Sequence, residues 1–108
     1  MSLQTLPSKF VGETVDIDFD MLSRLEVGQT IATAAVNISV FSGTDPNPTS
    51  MLSGVATISG TMIRQRVMGG LPGVIYMVWA SARTNNGEIL INEATLAVLS
   101  SNATIPPP

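Results

Sequence analysis

Three aspartates at alternate positions, Asp16, Asp18 and Asp20, form the sharpest chemical cluster in the sequence. Alternate residues of a strand share one face, and these carboxylates would stand about 6.5 to 7 Å apart. That spacing touches the short end of the range used by acid pairs that cleave glycosidic bonds with inversion. The same oxygens could serve Ca²⁺. A calcium loop of alternating carboxylates, however, needs a glycine turn and a distal glutamate, and neither accompanies them. Sugar-stacking aromatics are missing too. The better reading is the wet outer face of an edge strand, where charge deters unwanted strand pairing and no metal is bound. Repulsion between the three is mild in water, so this reading needs no counter-ion.

Nothing else in the chain is equipped for catalysis. There is no histidine, which removes the commonest general base and metal ligand, and no cysteine, which removes disulfides and thiolate sites. None of the many serines and threonines sits in a nucleophile elbow. Gly69, Gly70 and Gly73 lack the Lys-Ser/Thr and the helix of a phosphate loop and read as a turn. The sequons Asn37-Ile38-Ser39 and Asn102-Ala103-Thr104 follow no signal peptide and read as chance. The six methionines suit gap-filling and interfaces. The expectation is a protein that is not an enzyme and takes no cofactor and no metal.

Composition narrows the partners. The 108 residues suffice for one domain with one core. Net charge is −3, with Lys9 the single lysine and only Arg64 and Arg66 close together, so a nucleic-acid face is not expected. Charged residues make up 12% of the chain, against about 25% in an average soluble domain. Ser, Thr and Asn carry the polar share instead, which suits surfaces that meet other surfaces. No apolar run approaches the roughly 20 residues of a membrane span, and Met1 to Phe10 has no signal-peptide core. Synthesis in the cytoplasm without a cleavable address is expected, with no membrane partner.

The elements that would position these residues follow a period of two. Val15, Ile17 and Phe19 alternate with the aspartates. Asp20 can cap one helical turn near residues 20–25, whose Leu22 and Leu25 could plug one end of a sandwich. Gln29 to Phe41 is a strand with Ala32, Ala34, Val36, Ile38 and Val40 on its inner face. Ser42 to Ser53, with Asp45-Pro46-Asn47-Pro48, is a loop. Strands follow at 54–59, at 61–68 with Arg64 and Arg66 outward, at 74–84 and at 88–99. The last two are joined by Asn85-Asn86-Gly87. A three-residue loop there pairs Val78 with Ala94, Tyr76 with Leu96 and Val74 with Val98, placing apolar opposite apolar and Gly87 where a left-handed conformation is wanted. The fold class expected is all-β, an antiparallel immunoglobulin-like β-sandwich of six to seven strands. Residues 11–101 would form it, with 1–10 an extended arm and 102–108 a proline-rich tail.

The strand 74–84 is apolar on both faces. Tyr76, with Val74, Val78, Ala80 and Ala82, reads as core with its hydroxyl at the rim. Ile75, Met77 and Trp79 lie on the other face, joined in the three-residue register by Ile89, Ile91, Ala97 and Leu99 and interrupted by Glu93 and Thr95. A two-layer sandwich has one inner face per sheet, so these seven residues are expected to meet another subunit. A competing expectation is that Leu3 to Phe10 folds back over them.

The stretch from Ile17 to Ile31, IDFDMLSRLEVGQTI, resembles the opening of a family of small tailed-bacteriophage virion proteins. Three further stretches match: Ser42 to Pro46, Gly70 to Tyr76 ahead of a long strand, and the Thr84 to Gly87 turn. Together the resemblance spans most of Val11 to Leu99. It implies an immunoglobulin-like fold and a role in fibre or tail attachment or capsid decoration, and it carries over no catalytic residue. The function expected is a virion structural protein, an adaptor or attachment subunit at the tail, neck or fibre base. Its partners would be other virion structural proteins, with the chain itself homo-oligomeric in the particle. Capsid decoration and an immunoglobulin-like glycan-binding module are the alternatives, the latter with only Trp79 to offer a sugar.

Overall fold

The computed structural model of the chain describes residues 4–100. Leu3 of the arm, Asn102 to Thr104 and the Pro106–Pro108 tail lie outside the described residues. Eight strands run in order: β1 (Gln4–Thr5), β2 (Lys9–Phe10), β3 (Thr14–Asp20), β4 (Ile31–Ser42), β5 (Leu52–Ser59), β6 (Met62–Met68), β7 (Ile75–Thr84) and β8 (Ile89–Leu99). Two short 3-10 turns, Leu22–Arg24 and Pro48–Met51, are the helical elements among these residues.

The strands form the expected two-sheet sandwich. One sheet has the order β3-β6-β5; the other has β8 and β7 at its centre, β4 on one side and β1 and β2 on the other. The six long strands pair antiparallel, but β1 and β2 run parallel to β8, at Gln4–Ala94 and Lys9–Val98. Period-two patterning decides which side chains fill the space between the sheets. Ile17 and Phe19 of β3, Ile63 and Val67 of β6, and Tyr76, Val78, Ala80 and Ala82 of β7 are all buried. Each fully buried large side chain stabilises the fold by roughly 1.5 to 3 kcal/mol. The Tyr76 hydroxyl reaches the rim as expected, donating to Asp45 Oδ2 at 2.7 Å and accepting from the Leu71 amide at 2.9 Å.

The β7–β8 hairpin adopts the three-residue register. Val78 faces Ala94, Tyr76 faces Leu96, and Arg83 faces Ile89. Gly87 has φ 91°, and its amide donates to the Thr84 carbonyl at 3.1 Å.

Three local expectations change. Leu22 is 62% exposed; the sandwich end is plugged by fully buried Met21, with Leu25 half-buried beside it. Asp20 does hold the turn, its Oδ1 accepting the Leu22 amide at 2.9 Å. Ala32 is exposed, because a register shift between Ile31 and Thr33 breaks the alternation of β4. Finally, β5 begins at Leu52, two residues before the expected Gly54, after a 3-10 turn that buries Met51.

Candidate functional site

The aspartate cluster lies on the outer face of the three-stranded sheet, on edge strand β3. The register sets Asp16 opposite Arg66 and Asp18 opposite Arg64. Each pair closes as a fork. Arg64 Nε and Nη2 donate to the two carboxylate oxygens of Asp18 at 2.7 and 3.0 Å, and Arg66 donates likewise to Asp16 at 2.9 and 3.4 Å. Asp20 is turned to other work, accepting from the Thr61 hydroxyl and the Leu22 amide. The hydrogen bonds from the guanidinium groups hold the Asp16 and Asp18 carboxyls below the usual carboxylate range. A general acid of an inverting pair needs the opposite shift, a carboxyl that keeps its proton near neutrality. This face is thus a charge ladder with its oxygens already committed to arginine. The signal was in the sequence, as Asp-x-Asp and Arg-x-Arg at matching alternation, but nothing local says that β3 pairs with β6.

Gln65 sits between the two arginines and points the other way. It is 2% exposed, opposite a register shift between Ser53 and Thr57 of β5. Its Nε2 donates to the carbonyls of Gly54 at 3.1 Å, Ser53 at 3.4 Å and Arg66 at 2.9 Å, so the amide satisfies the irregular backbone.

The outer face of the larger sheet has a different chemistry. All seven residues expected at a subunit contact lie on it. Ile75 stands opposite Ala97, Met77 opposite Thr95, Trp79 opposite Glu93, Ser81 opposite Ile91 and Arg83 opposite Ile89. Ile89, Ile91 and Leu99 are 56%, 44% and 43% exposed; Ile75, Met77, Trp79 and Ala97 are half-buried by their neighbours. Strand β4 continues the face with Ala35, Asn37 and Ser39, opposite Ser81, Trp79 and Met77. On the far side β2 sets half-buried Phe10 beside Leu99, a contribution that sequence reading missed.

The N-terminal segment does not lie across this face in its described part. Gln4–Thr5 and Lys9–Phe10 pair with the edge of β8, in the plane of the sheet, and widen it. Lys9 anchors the segment from the inner side. It is 1% exposed, and Nζ donates to the carbonyls of Gly69 at 2.6 Å and Phe10 at 2.7 Å. Burial lowers its pKa from the usual lysine value.

The two outer faces thus differ in kind. One is a ladder of paired charges. The other is broad and largely neutral, with Ile89, Ile91 and Leu99 exposed on it. Residues 9–97 match the protein-family model described as "Podophage GP4 fiber-tail adaptor protein gp77". No curated protein matches the chain.

Proposed function

Since the chain belongs to the podophage GP4 fiber-tail adaptor family, we propose that it joins fibre to tail in the assembled particle and holds its neighbours through the neutral outer face of the β8–β7–β4 sheet. On this reading the chain is made in the host cytoplasm and incorporated as a structural subunit that performs no reaction. Its partners are other virion structural proteins. Decoration of the capsid and binding of glycans find no support in the family match, and Trp79, half-buried in the sheet, offers a sugar little open ring.

The observation that carries the docking site is the exposure of Ile89, Ile91 and Leu99 on the face that also carries Trp79 and Met77. Apolar area of this kind left in water marks an interaction site. The test is Trp79→Ser with Ile91→Ser, produced in infected cells alongside the other virion proteins. Particles should lack the variant subunit while the purified variant keeps its native circular dichroism. A variant that incorporates normally, or one that is unfolded as an isolated chain, overturns the docking site.

A further inference from the structure

Three of the four sheet margins are blunted against further strands. β3 carries the aspartates, β5 leaves its ladder between Ser53 and Thr57 with Gly54 at φ 76°, and β8 is flanked by β1 and β2. Charge, irregularity and cover are the usual means of guarding an edge. β4, the fourth margin, has no charged residue, no proline and no glycine from Ile31 to Ser42, and its register is regular from Thr33 to Val40. The Pro48–Met51 turn and β5 pack near it, but neither pairs with it as a strand. Parity fixes which backbone groups face the open side. The Thr84 amide donates to the Glu88 carbonyl and the Val98 amide donates to the Val74 carbonyl, so even-numbered residues of β7 spend their backbone groups on β8. Odd-numbered Ser81 and Trp79 therefore bond β4, at Ala35 and Asn37. Ala34 and Val36 turn amide and carbonyl away from β7. There the edge opens on a groove of about 230 Å³, walled on its far side by Leu52, Val55 and Ala56 of β5. The lining residues are all uncharged, and Val55 is 88% exposed.

We propose that an extended segment of another virion protein adds to the sheet along β4, from Ile31 to Val36, with one row of its side chains in this groove; the proposal rests on the adaptor reading but not on the outer face. Amides and carbonyls open at alternate residues match a second extended backbone. The chemistry of the segment follows from the edge. Its residues bonded to Ala34 and Val36 must donate amides, so they are not proline. Its groove-facing side chains are apolar, to lie against Leu52, Val55 and Ala56. Its other row is small and neutral, level with Thr33, Ala35 and Asn37 on the outer face. Six residues at about 3.4 Å each, along an edge about 10 Å deep, offer on the order of 200 Å², roughly a quarter of what a standard interface covers on each partner. So small a contact does not hold a free partner, a second copy's β4 included. It suits a segment of a protein anchored elsewhere in the particle, which is the situation of a neighbour that an adaptor joins.

The test is hydrogen exchange of the native chain, read amide by amide, first isolated and then within purified particles. In the isolated chain Ala34 and Val36 should exchange at least about tenfold faster than Ala35 and Asn37, which bond β7. In particles Ala34 and Val36 should slow by about tenfold or more and the alternation should vanish. Ala34→Pro removes an outward amide without breaking a bond to β7. It should enter particles less well than Ala34→Ser, which keeps the amide. If Ala34 and Val36 are already slow in the dilute isolated chain, the edge is closed and the proposal is overturned. If they slow only as the concentration of the isolated chain rises, a second copy is the occupant and the assignment to another protein is overturned. A chain absent from particles overturns the adaptor reading itself. A chain present in particles whose Ala34 and Val36 still exchange fast overturns the added strand alone.

Discussion

Arg64 and Asp18 stand directly opposite each other on β6 and β3, and the guanidinium grips both oxygens of the carboxylate at 2.7 and 3.0 Å. Arg66 and Asp16 repeat the arrangement two residues along. Two carboxylates on the edge strand β3 and two guanidinium groups on the central strand β6 thus neutralise one another on an exposed face.

The pairing sets a response to acid. Both carboxyls have their pKa lowered from 3.8 by the arginine hydrogen bonds. A group with a depressed folded pKa contributes stability that is present above the unfolded value and lost as pH falls through the folded one. The melting temperature should therefore drop as pH goes below about 4. Because the pairs are solvent-exposed, the drop belonging to them should be only a few degrees and should shrink in high salt. Asp16→Asn with Asp18→Asn should lower the melting temperature at pH 7 and converge on the native protein near pH 2. A difference that persists unchanged into acid would mean that the pairs contribute nothing through charge.

Two glycines with similar backbones should respond differently to alanine. Gly87 has φ 91° and Gly70 has φ 92°, both in the left-handed region. A methyl group at Gly87 meets open space, so Gly87→Ala should cost only the backbone term, about 1 kcal/mol. At Gly70 it would fall 2.9 Å from Val98 Cγ2 and 3.0 Å from Met51 Cε. Both neighbours are buried, so Gly70→Ala should cost about 2 kcal/mol or more, with overpacking added to the backbone term. Urea denaturation of the two variants measures both, and equal costs would contradict the close packing of the Gly69–Gly73 turn against the core.

Local alternation was sufficient to read the inner face of β7, the register of the last hairpin and the unpartnered outer strip, because each depends only on neighbours in sequence. Tyr76 and Trp79 part to opposite faces by parity alone. The ladder was not legible, because Arg64 and Arg66 lie about 50 residues from their partners, and periodicity carries no information about which strands pair. Gln65 was missed for the same reason: its burial depends on an irregularity in β5 that no residue of β6 announces. Pro7 and the shortness of β1 and β2 hide the N-terminal pairing, since two-residue strands leave no alternation to detect. Leu22 misleads because its apolar type suggests a plug, a role that the turn geometry hands to Met21.

Gln65→Leu should remove one amide that serves three carbonyls and leave those at Ser53 and Gly54 without their buried donor. A loss of about 1 to 3 kcal/mol is expected in chemical denaturation. Hydrogen exchange should speed up first around residues 53–57, where the backbone departs from the ladder, and much less in the β7–β8 hairpin. A uniform increase across both sheets would show instead that Gln65 acts through general core packing.

Lys9 supplies the last prediction, which links the arm to the docking face. Its ammonium bonds Gly69 and Phe10, tying β2 to the turn before β7 while its stem fills the inner side of the edge. Lys9→Met keeps most of the apolar stem and removes the donors. The carbonyl of Gly69 then loses a charge-assisted partner, and short ladder contacts, the Leu6 and Val11 amides and the packing of those two side chains against the core remain to hold residues 4–11. The arm should therefore open far more often than the sandwich unfolds, seen as faster protease cleavage and hydrogen exchange before Gly12 with little change in the core. Phe10 would leave its place beside Leu99, and the face would lose its far border. If the docking face extends as far as β2, incorporation into particles should fall along with arm protection. If protection is lost while incorporation is unchanged, the contact ends at β8 and Phe10 lies outside it. If the arm stays protected, backbone pairing alone holds it and the Lys9 hydrogen bonds are dispensable.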